Sequence, residues 1–206
     1  MKLEDKVIIV TGASRGIGQE IAFLLAENGA KIVVNHSNSE KDAEATVIKI
    51  KNNGGNAIAI KADVSDRNQV TQLFDQTIEE FGKVHVLINN AGVMFNKKLK
   101  DNTQEDFNKL FDVNVKGVFN TLQEADSKLS DNGNIINISS STVKLMFPTY
   151  ALYSASKAAV EQMTRVFSKE IGRGISVNAL APGATETELF LNGKSQEFID
   201  KLSSMN

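Results

Sequence analysis

The chain of 206 residues contains no cysteine. That absence excludes disulfides, thiolate nucleophiles and cysteine-ligated zinc together. Histidine is nearly as scarce. His36 and His85 stand far apart, in no metal-ligand spacing, so no metal site is expected. Only two prolines and no Gly/Ser-rich stretch punctuate the chain, which argues against a linker and for one domain over residues 1–206. There is no excess of positive charge: a formal net charge of −2 offers no basic field to hold nucleic acid or an anionic membrane. No apolar run approaches the roughly 18 residues that a membrane span requires. The opening Met1–Lys6 is charged and leads straight towards a strand, unlike a secretory or transit signal. These absences lead us to expect a reduced, cytoplasmic protein. With 41% hydrophobic and 23% charged residues, the composition suits a soluble chain with a substantial core.

What is present is a strict alternation. Short β-branched runs read as strands: Val7–Val10, Ile32–Val34, Ala57–Ile60, Val84–Ile88, Ile135–Ile138 and Ile175–Leu180. They are apolar on both faces, as buried strands of a parallel sheet are. Between them lie helical patterns over about residues 16–28, 39–53, 66–81, 103–130 and 150–171. In the third, Val70, Leu73, Phe74, Thr77, Ile78 and Phe81 fall on one face, Asp66 is placed to cap the start, and Gly82 to end it. Regular β-α-β alternation with short loops predicts an α/β fold: a Rossmann-type doubly wound parallel sheet in three α/β/α layers.

The first strand runs into Thr11-Gly12-Ala13-Ser14-Arg15-Gly16-Ile17-Gly18, and a helix begins there. Glycines permit a tight turn and let a pyrophosphate approach bare backbone, while the helix N-terminus offers free N–H groups and partial positive charge. The spacing G-x-x-x-G-x-G differs from the commoner G-x-G-x-x-G, but the strand before and the helix after it point to a nucleotide. The second strand should end at the adenosine ribose, where an acid would favour NAD. Here stand Asn35, His36, Ser37 and Asn38, with no acid before Glu40, and Arg15 lies in the glycine turn. A neutral polar pocket with one guanidinium suits a 2′-phosphate. The expected cofactor is therefore NADP(H), with NAD(H) the alternative. Asp63, after the third strand, is placed to meet the adenine or to hold a turn.

Tyr153 and Lys157 are four residues apart on a predicted helix and so share a face. A nearby ammonium favours phenolate and should lower the tyrosine pKa, giving a usable acid/base near neutrality. Tyr150 has a serine, not a lysine, at that offset. The fifth strand ends in Ser139-Ser140-Ser141, where a hydroxyl could bond a substrate carbonyl or simply shape a polar turn. The fourth ends in Asn89-Asn90-Ala91-Gly92, small enough for a flat ring to pack on backbone. Asn114 interrupts an apolar helical stretch, either as a buried amide bonded to backbone or as the holder of a water for proton delivery.

Taken together, Thr11-Gly12-x-x-x-Gly16-x-Gly18, Asn89-Asn90-Ala91-Gly92, Asn114, Ser140, Tyr153-x-x-x-Lys157 and Pro182-Gly183 resemble the classical short-chain dehydrogenase/reductase family over residues 5 to about 192. Within it, the chain is similar to bacterial 3-oxoacyl-carrier-protein reductases. The resemblance implies the strand order 3-2-1-4-5-6. It also implies that Tyr153 donates the proton, Lys157 lowers its pKa and binds the nicotinamide ribose, Ser140 orients the carbonyl, and Asn114 holds a relay water through its backbone. Gly12, Ser14, Arg15, Gly16, Ile17, Gly18, Asp63, Val64, Asn89, Ala91 and Gly92 would line the cofactor site, and Pro182, Gly183, Thr185 and Thr187 would flank the nicotinamide. The implied reaction is NADPH-dependent reduction of a small carbonyl, a 3-oxoacyl thioester on acyl carrier protein or CoA, by a homodimer or homotetramer built on residues 103–130 and 150–171. Alternatives are an alcohol, sugar or steroid dehydrogenase, and a non-catalytic NADP-binding regulator, against which the proton-handling set argues.

Three departures accompany the resemblance. His85 stands where the family often has an acid, and Thr185 where it has a branched apolar residue. The chain ends at Asn206, before the last helix and strand usual in the family, so truncation is expected. Residues 188–194 would then form a substrate loop, and Ser195, Glu197, Phe198, Ile199 and Leu202 a short amphipathic helix. Met94, Phe95, Leu145, Met146, Phe147 and Phe190 suggest a partly apolar pocket.

Overall fold

The computed structural model describes residues 3–185 and residue 187. The loop and helix expected after Thr187 lie outside these residues. Six strands form one parallel sheet: β1 Val7–Val10, β2 Lys31–His36, β3 Asn56–Lys61, β4 Val84–Asn89, β5 Leu129–Ile138 and β6 Ser176–Leu180. Their order is β3-β2-β1-β4-β5-β6, as expected. Helices α1 Gly16–Glu27, α2 Glu40–Asn52, α3 Arg67–Phe81, α4 Gln104–Phe111, α5 Gly117–Lys128, α6 Thr142–Leu145 and α7 Ala151–Glu170 complete the described elements, with a 3₁₀ turn at Leu99–Asp101.

Strand pleating sorts the core onto two sides of the sheet. Ile9, Val33, Leu87 and Ile135 point to one face and pack with Leu73 of α3, Leu122 of α5 and Val160 of α7. Ile8, Val10, Ile32, Val34 and Ile88 point to the other and pack with Ala22 of α1 and Ala43, Val47 and Ile50 of α2. β1 and Ile32–Val34 of β2 are apolar on both faces because both faces are covered. The ends of α3 follow the expected rules. Asp66 accepts from the N–H groups of Asn68 and Gln69, and Gly82 closes the helix at φ 80°, a conformation that favours glycine.

Two boundaries differ from the periodicity. The single helix expected over 103–130 is broken by a π-turn at Asp112–Lys116. Asn114 there is wholly buried and its amide is engaged by the neighbouring loop, while Gly117 sits so close to Val64 that a Cβ would come within 2.6 Å of Val64 Cγ2. Tertiary packing, not propensity, sets the break. The fifth strand begins at Leu129 rather than Ile135, with an irregular register against Val84 and Val86 and Asn132 at φ 58°. Its first residues carry no apolar alternation, so the pattern missed them.

The entry of β1 depends on a titratable group. His85 Nδ1 accepts a hydrogen bond from the Val7 N–H at 3.0 Å. Only neutral imidazole can accept at that nitrogen. Burial first, then Lys6, Lys83 and Lys31, hold His85 below its ordinary value of 6.5. A depressed folded pKa contributes stability that is present above the unfolded value and lost as pH falls. In urea unfolding between pH 7.5 and 5.5, the wild-type chain should lose on the order of 1 kcal/mol more than His85→Leu. Equal losses in the two proteins would show that this bond does not govern the acid limb.

Candidate active site

The carboxyl ends of the strands open on a cleft of about 1210 Å³. Its floor is the junction of β1 and β4, where the strand order reverses and ligands of open α/β sheets bind. Gly12, at φ 61°, lies so close to the fourth strand's exit that an added Cβ would stand 2.8 Å from Ala91 Cα. Only a glycine fits there. Ser14, Arg15, Gly16 and Ile17 line the cleft beyond it. The Arg15 side chain at the N-cap makes no capping hydrogen bond to α1, and the first turn of that helix has no acid. The orphan N–H groups of that helix are thus left to a ligand. This bare backbone and open helix N-terminus fit the pyrophosphate of a dinucleotide.

The adenosine end is formed by the tips of β2 and β3. Asn35 lines it but spends its amide internally: Oδ1 accepts from the Gly12 N–H at 3.3 Å, and Nδ2 donates to the carbonyls of Ile60 and Ala62. His36 and Ser37 also line it. Asp63 lines the cleft as well, while its Oδ1 holds a turn by accepting from Ser65 N and Oγ at 2.9 and 2.7 Å. Val64 closes this wall over Gly117.

At the inner end, Tyr153, Ser140 and Lys157 meet. Ser140 acts on the Tyr153 hydroxyl and favours its phenolate. Ser140 Oγ also accepts from Thr142 N and Oγ1 at 3.2 and 3.0 Å. Lys157 Nζ lies 5.9 Å from the Tyr153 ring centre and donates to the Ile138 carbonyl at 2.8 Å. It is 4% exposed, and burial holds its ammonium down at about 8. The expected lowering of the tyrosine does not occur in this arrangement. Burial is the largest influence and pushes the phenol above its ordinary value; Ser140 pulls it down only in part, and Tyr150 adds to the rise. Desolvation outweighs the ammonium because Lys157 is aimed at a carbonyl rather than at the phenol oxygen.

Asn114 stands behind this group and does not line the cleft. Its Oδ1 accepts from Val93 N at 2.8 Å, and its Nδ2 donates to Val93 O and Ser156 Oγ at 2.9 and 3.1 Å. Ser156 in turn donates to the Tyr153 carbonyl at 2.7 Å. The amide therefore ties the π-turn, the loop after β4 and the tyrosine helix together. On the far wall, Ser139 N and Ser141 N donate to the carbonyls of Leu180 and Pro182. Pro182, Gly183, Thr185 and Thr187 line the cleft, and Thr187 Cγ2 reaches over Gly16, 3.5 Å from where its Cβ would be.

A family described as short chain dehydrogenase matches residues 6–197. The chain belongs to the short-chain dehydrogenase/reductase family. Versicolorin reductase of Emericella nidulans is 44% identical over 200 residues, covering 96% of this chain and 75% of that protein. A trihydroxynaphthalene reductase of Pestalotiopsis fici is 42% identical over 190 residues, covering 91% of this chain and 67% of that protein. A short chain dehydrogenase of Burkholderia cenocepacia, solved in complex with NADP, superposes with a TM-score of 0.91 at 33% identity, covering 100% of this chain and 90% of that one.

Two residues expected at the cofactor of this short-chain dehydrogenase/reductase turn away from it. Asn89 is 4% exposed and sits in a buried ladder, donating to Asn137 Oδ1 and accepting from Thr121 Oγ1, both at 2.8 Å. Its strand position points it into the helix layer behind the sheet. Gly18 lies in α1 against the turn, where a Cβ would meet Asn90 Nδ2 at 2.4 Å; it permits packing and does not line the cleft. Asn90 lines the cleft instead, and its amide donates to the carbonyls of Thr11 and Gly12 at 2.9 and 3.0 Å. Alternation along β4 from Asn89 carried the signal for that swap. Thr142 and Tyr150 also line the cleft, and the serine run and the offset of Tyr150 gave no sign of it.

Asn114→Ala would leave Val93 N–H, Val93 C=O and Ser156 Oγ without this partner. Chemical denaturation should show a loss of about 1–3 kcal/mol. A loss under roughly 0.5 kcal/mol, the range of ordinary surface changes, would show that the clamp does not hold the site together.

Proposed function

We propose that this chain catalyses NADPH-dependent reduction of a ketone to an alcohol, with Tyr153 donating the proton, Ser140 orienting the carbonyl and Lys157 binding the nicotinamide ribose. The observation that carries this is the buried Tyr153–Ser140–Lys157 group lining one end of a cleft whose other end is the glycine turn and acid-free N-terminus of α1. NADPH supplies the hydride when bound. Gly12, Ser14, Arg15, Gly16 and Ile17 receive its pyrophosphate, and Asn35, His36, Ser37, Asp63 and Val64 its adenosine. Ala91, Gly92, Pro182, Gly183, Thr185 and Thr187 surround the nicotinamide. The lack of an acid at the tip of β2 supports NADP over NAD, as does the NADP held by the Burkholderia cenocepacia relative.

The proton inventory supports the reductive direction. A phenol held above its ordinary value is protonated at neutral pH and can serve as a donor. Ser140, which lines the cleft with that phenol, sets the carbonyl oxygen beside both hydroxyls, where donors stabilise developing negative charge. The Lys157 ammonium adds positive charge next to the phenol as its proton leaves. Asn114 fixes the π-turn whose backbone holds the relay water that returns the proton.

For the substrate, a 3-oxoacyl thioester carried on CoA or acyl carrier protein is the reading implied by the resemblance to bacterial 3-oxoacyl-carrier-protein reductases. A fused-ring ketone is the second reading. It is favoured by an aromatic wall, in which the rings of Phe147 and Tyr150 and of Tyr150 and Tyr153 lie 6.2 and 6.3 Å apart, and by the substrates named for the two fungal relatives. Assembly as a homodimer or homotetramer would use the outer faces of α4, α5 and α7, where Phe107, Phe119 and Val166 are exposed.

Oxidation of NADPH is to be followed with acetoacetyl thioester and with 2-tetralone, beside NADH. Tyr153→Phe should lower kcat/KM about 10²–10⁴-fold while NADPH still binds. Because the ammonium of Lys157 is lost above about 8, the reduction rate should hold below that pH and fall above it. Undiminished turnover in Tyr153→Phe would defeat the proposal, whereas NADPH binding with turnover of neither ketone would keep the cofactor and reject both substrates.

A further inference from the structure

The adenosine end of the cleft holds a histidine whose Nδ1 has no hydrogen-bond partner among the described residues. His36 is the last residue of β2 and only 4% exposed. The residue lines the cleft, and that Nδ1 is buried. Among the described residues no carboxylate forms an ion pair with it. Glu40 and Glu44 act on it from α2 and favour the imidazolium; burial and Lys61, at the end of β3, oppose it, and burial is the largest influence. The other charged side chains lining this end are Arg15 and Asp63. The imidazole is therefore neutral near pH 7 until something brings negative charge to it.

We propose that His36 makes the choice between NADPH and NADH depend on pH, because its imidazole takes up a proton when a 2′-phosphate enters this end of the cleft. The inference rests on the reading of the cleft as an NADP(H) site and assigns His36 a role that Arg15 cannot share. A guanidinium is charged at every physiological pH and attracts the phosphate without proton exchange. An imidazole that is neutral when free and charged when bound links binding to a proton. Affinity for the phosphorylated dinucleotide then falls as pH rises, by up to about tenfold per pH unit. The phosphate itself does not mimic this trend. Its second ionisation lies near pH ~6, so above pH ~7 it is already a dianion, and below that its own titration favours binding at higher pH. NADH lacks the group and should bind with no such dependence.

The test uses the whole chain. Calorimetric titration with NADPH and with NADH is performed at pH 7 and pH 8, each in two buffers of different ionisation heat, so that protons exchanged on binding are counted directly. Between these pH values, NADPH should weaken about three- to tenfold with uptake of a substantial fraction of one proton, while NADH stays constant. His36→Gln should bind NADPH with neither the slope nor the proton uptake. There are only two histidines, so His85→Leu identifies the remaining imidazole resonance as His36. Its titration midpoint should rise on addition of NADP⁺ and not of NAD⁺. These wild-type readouts decide the matter even if His36→Gln does not fold. NADPH binding without proton uptake, a slope retained in His36→Gln, or an unmoved His36 resonance would overturn the inference and leave the NADP(H) reading intact. Failure of NADPH to bind at either pH would overturn both.

Discussion

The structure turns on one close approach. Where β1 leaves the sheet, the Thr11–Gly12 backbone lies against Ala91 at the exit of β4, at a distance that admits no side chain. Hydrogen bonds lock this contact. Thr11 Oγ1 accepts from the N–H groups of Asn90 and Ala91 at 3.0 Å, and the Asn90 amide donates back to the carbonyls of Thr11 and Gly12. The order of the sheet reverses here, so the helices that follow β1 and β4 diverge to opposite faces and a cleft must open between them. The acid-free start of α1, the polar tips of β2 and β3, and the tyrosine helix all surround that opening.

A second constraint lies behind the cleft, in buried polar groups that are fully engaged. Asn89, Thr121, Asn137 and Thr164 form a continuous chain of hydrogen bonds through the helix layer, linking β4 and β5 to α5 and α7. Asn114 does the same work for the π-turn, Val93 and Ser156. Such networks specify one packing, because any displacement strands a desolvated amide. They hold Tyr153 and Lys157 in a dry place, and dryness dictates their acid–base character. The phenol is pushed up and the ammonium down by the same burial. This is a pocket tuned first by exclusion of water and only second by pairwise charge.

Hydrophobic period and punctuation made much of this visible beforehand. The inner strands β1 and β2 appear where β-branched runs were seen, because burial on both faces leaves little room for polar alternation, whereas β6 at the sheet edge buries only Val177. Asp66 and Gly82 bound α3 as their chemistry dictates. Other features left weaker marks. The first half of β5 is polar and irregular, and pairs with β4 only because Gly133 lets the chains approach: a Cβ there would stand 2.8 Å from the His85 carbonyl. The helix over 103–130 reads as continuous, yet the Asn114 amide and the Gly117–Val64 contact force a wider turn into it. In the site, Asn89 and Asn90 are the same residue type one position apart. One step along a strand reverses the face, so a motif of two asparagines does not say which one meets a ligand until the pleat is placed.

By itself, the sequence determined the α/β alternation, the glycine turn opening on a helix, the absence of an acid at the tip of β2, and the shared helical face of Tyr153 and Lys157. All are local, governed by period, propensity and the φ that glycine allows. The tertiary structure alone decided which asparagine faces the cleft, where the long helix breaks, that His36 is buried with its Nδ1 unpartnered among the described residues, and that Tyr153 is made less acidic rather than more. Each of these depends on how far a group lies from water and from groups distant in the chain. Solvation and long-range distance are properties of the packed molecule and have no counterpart in residue spacing.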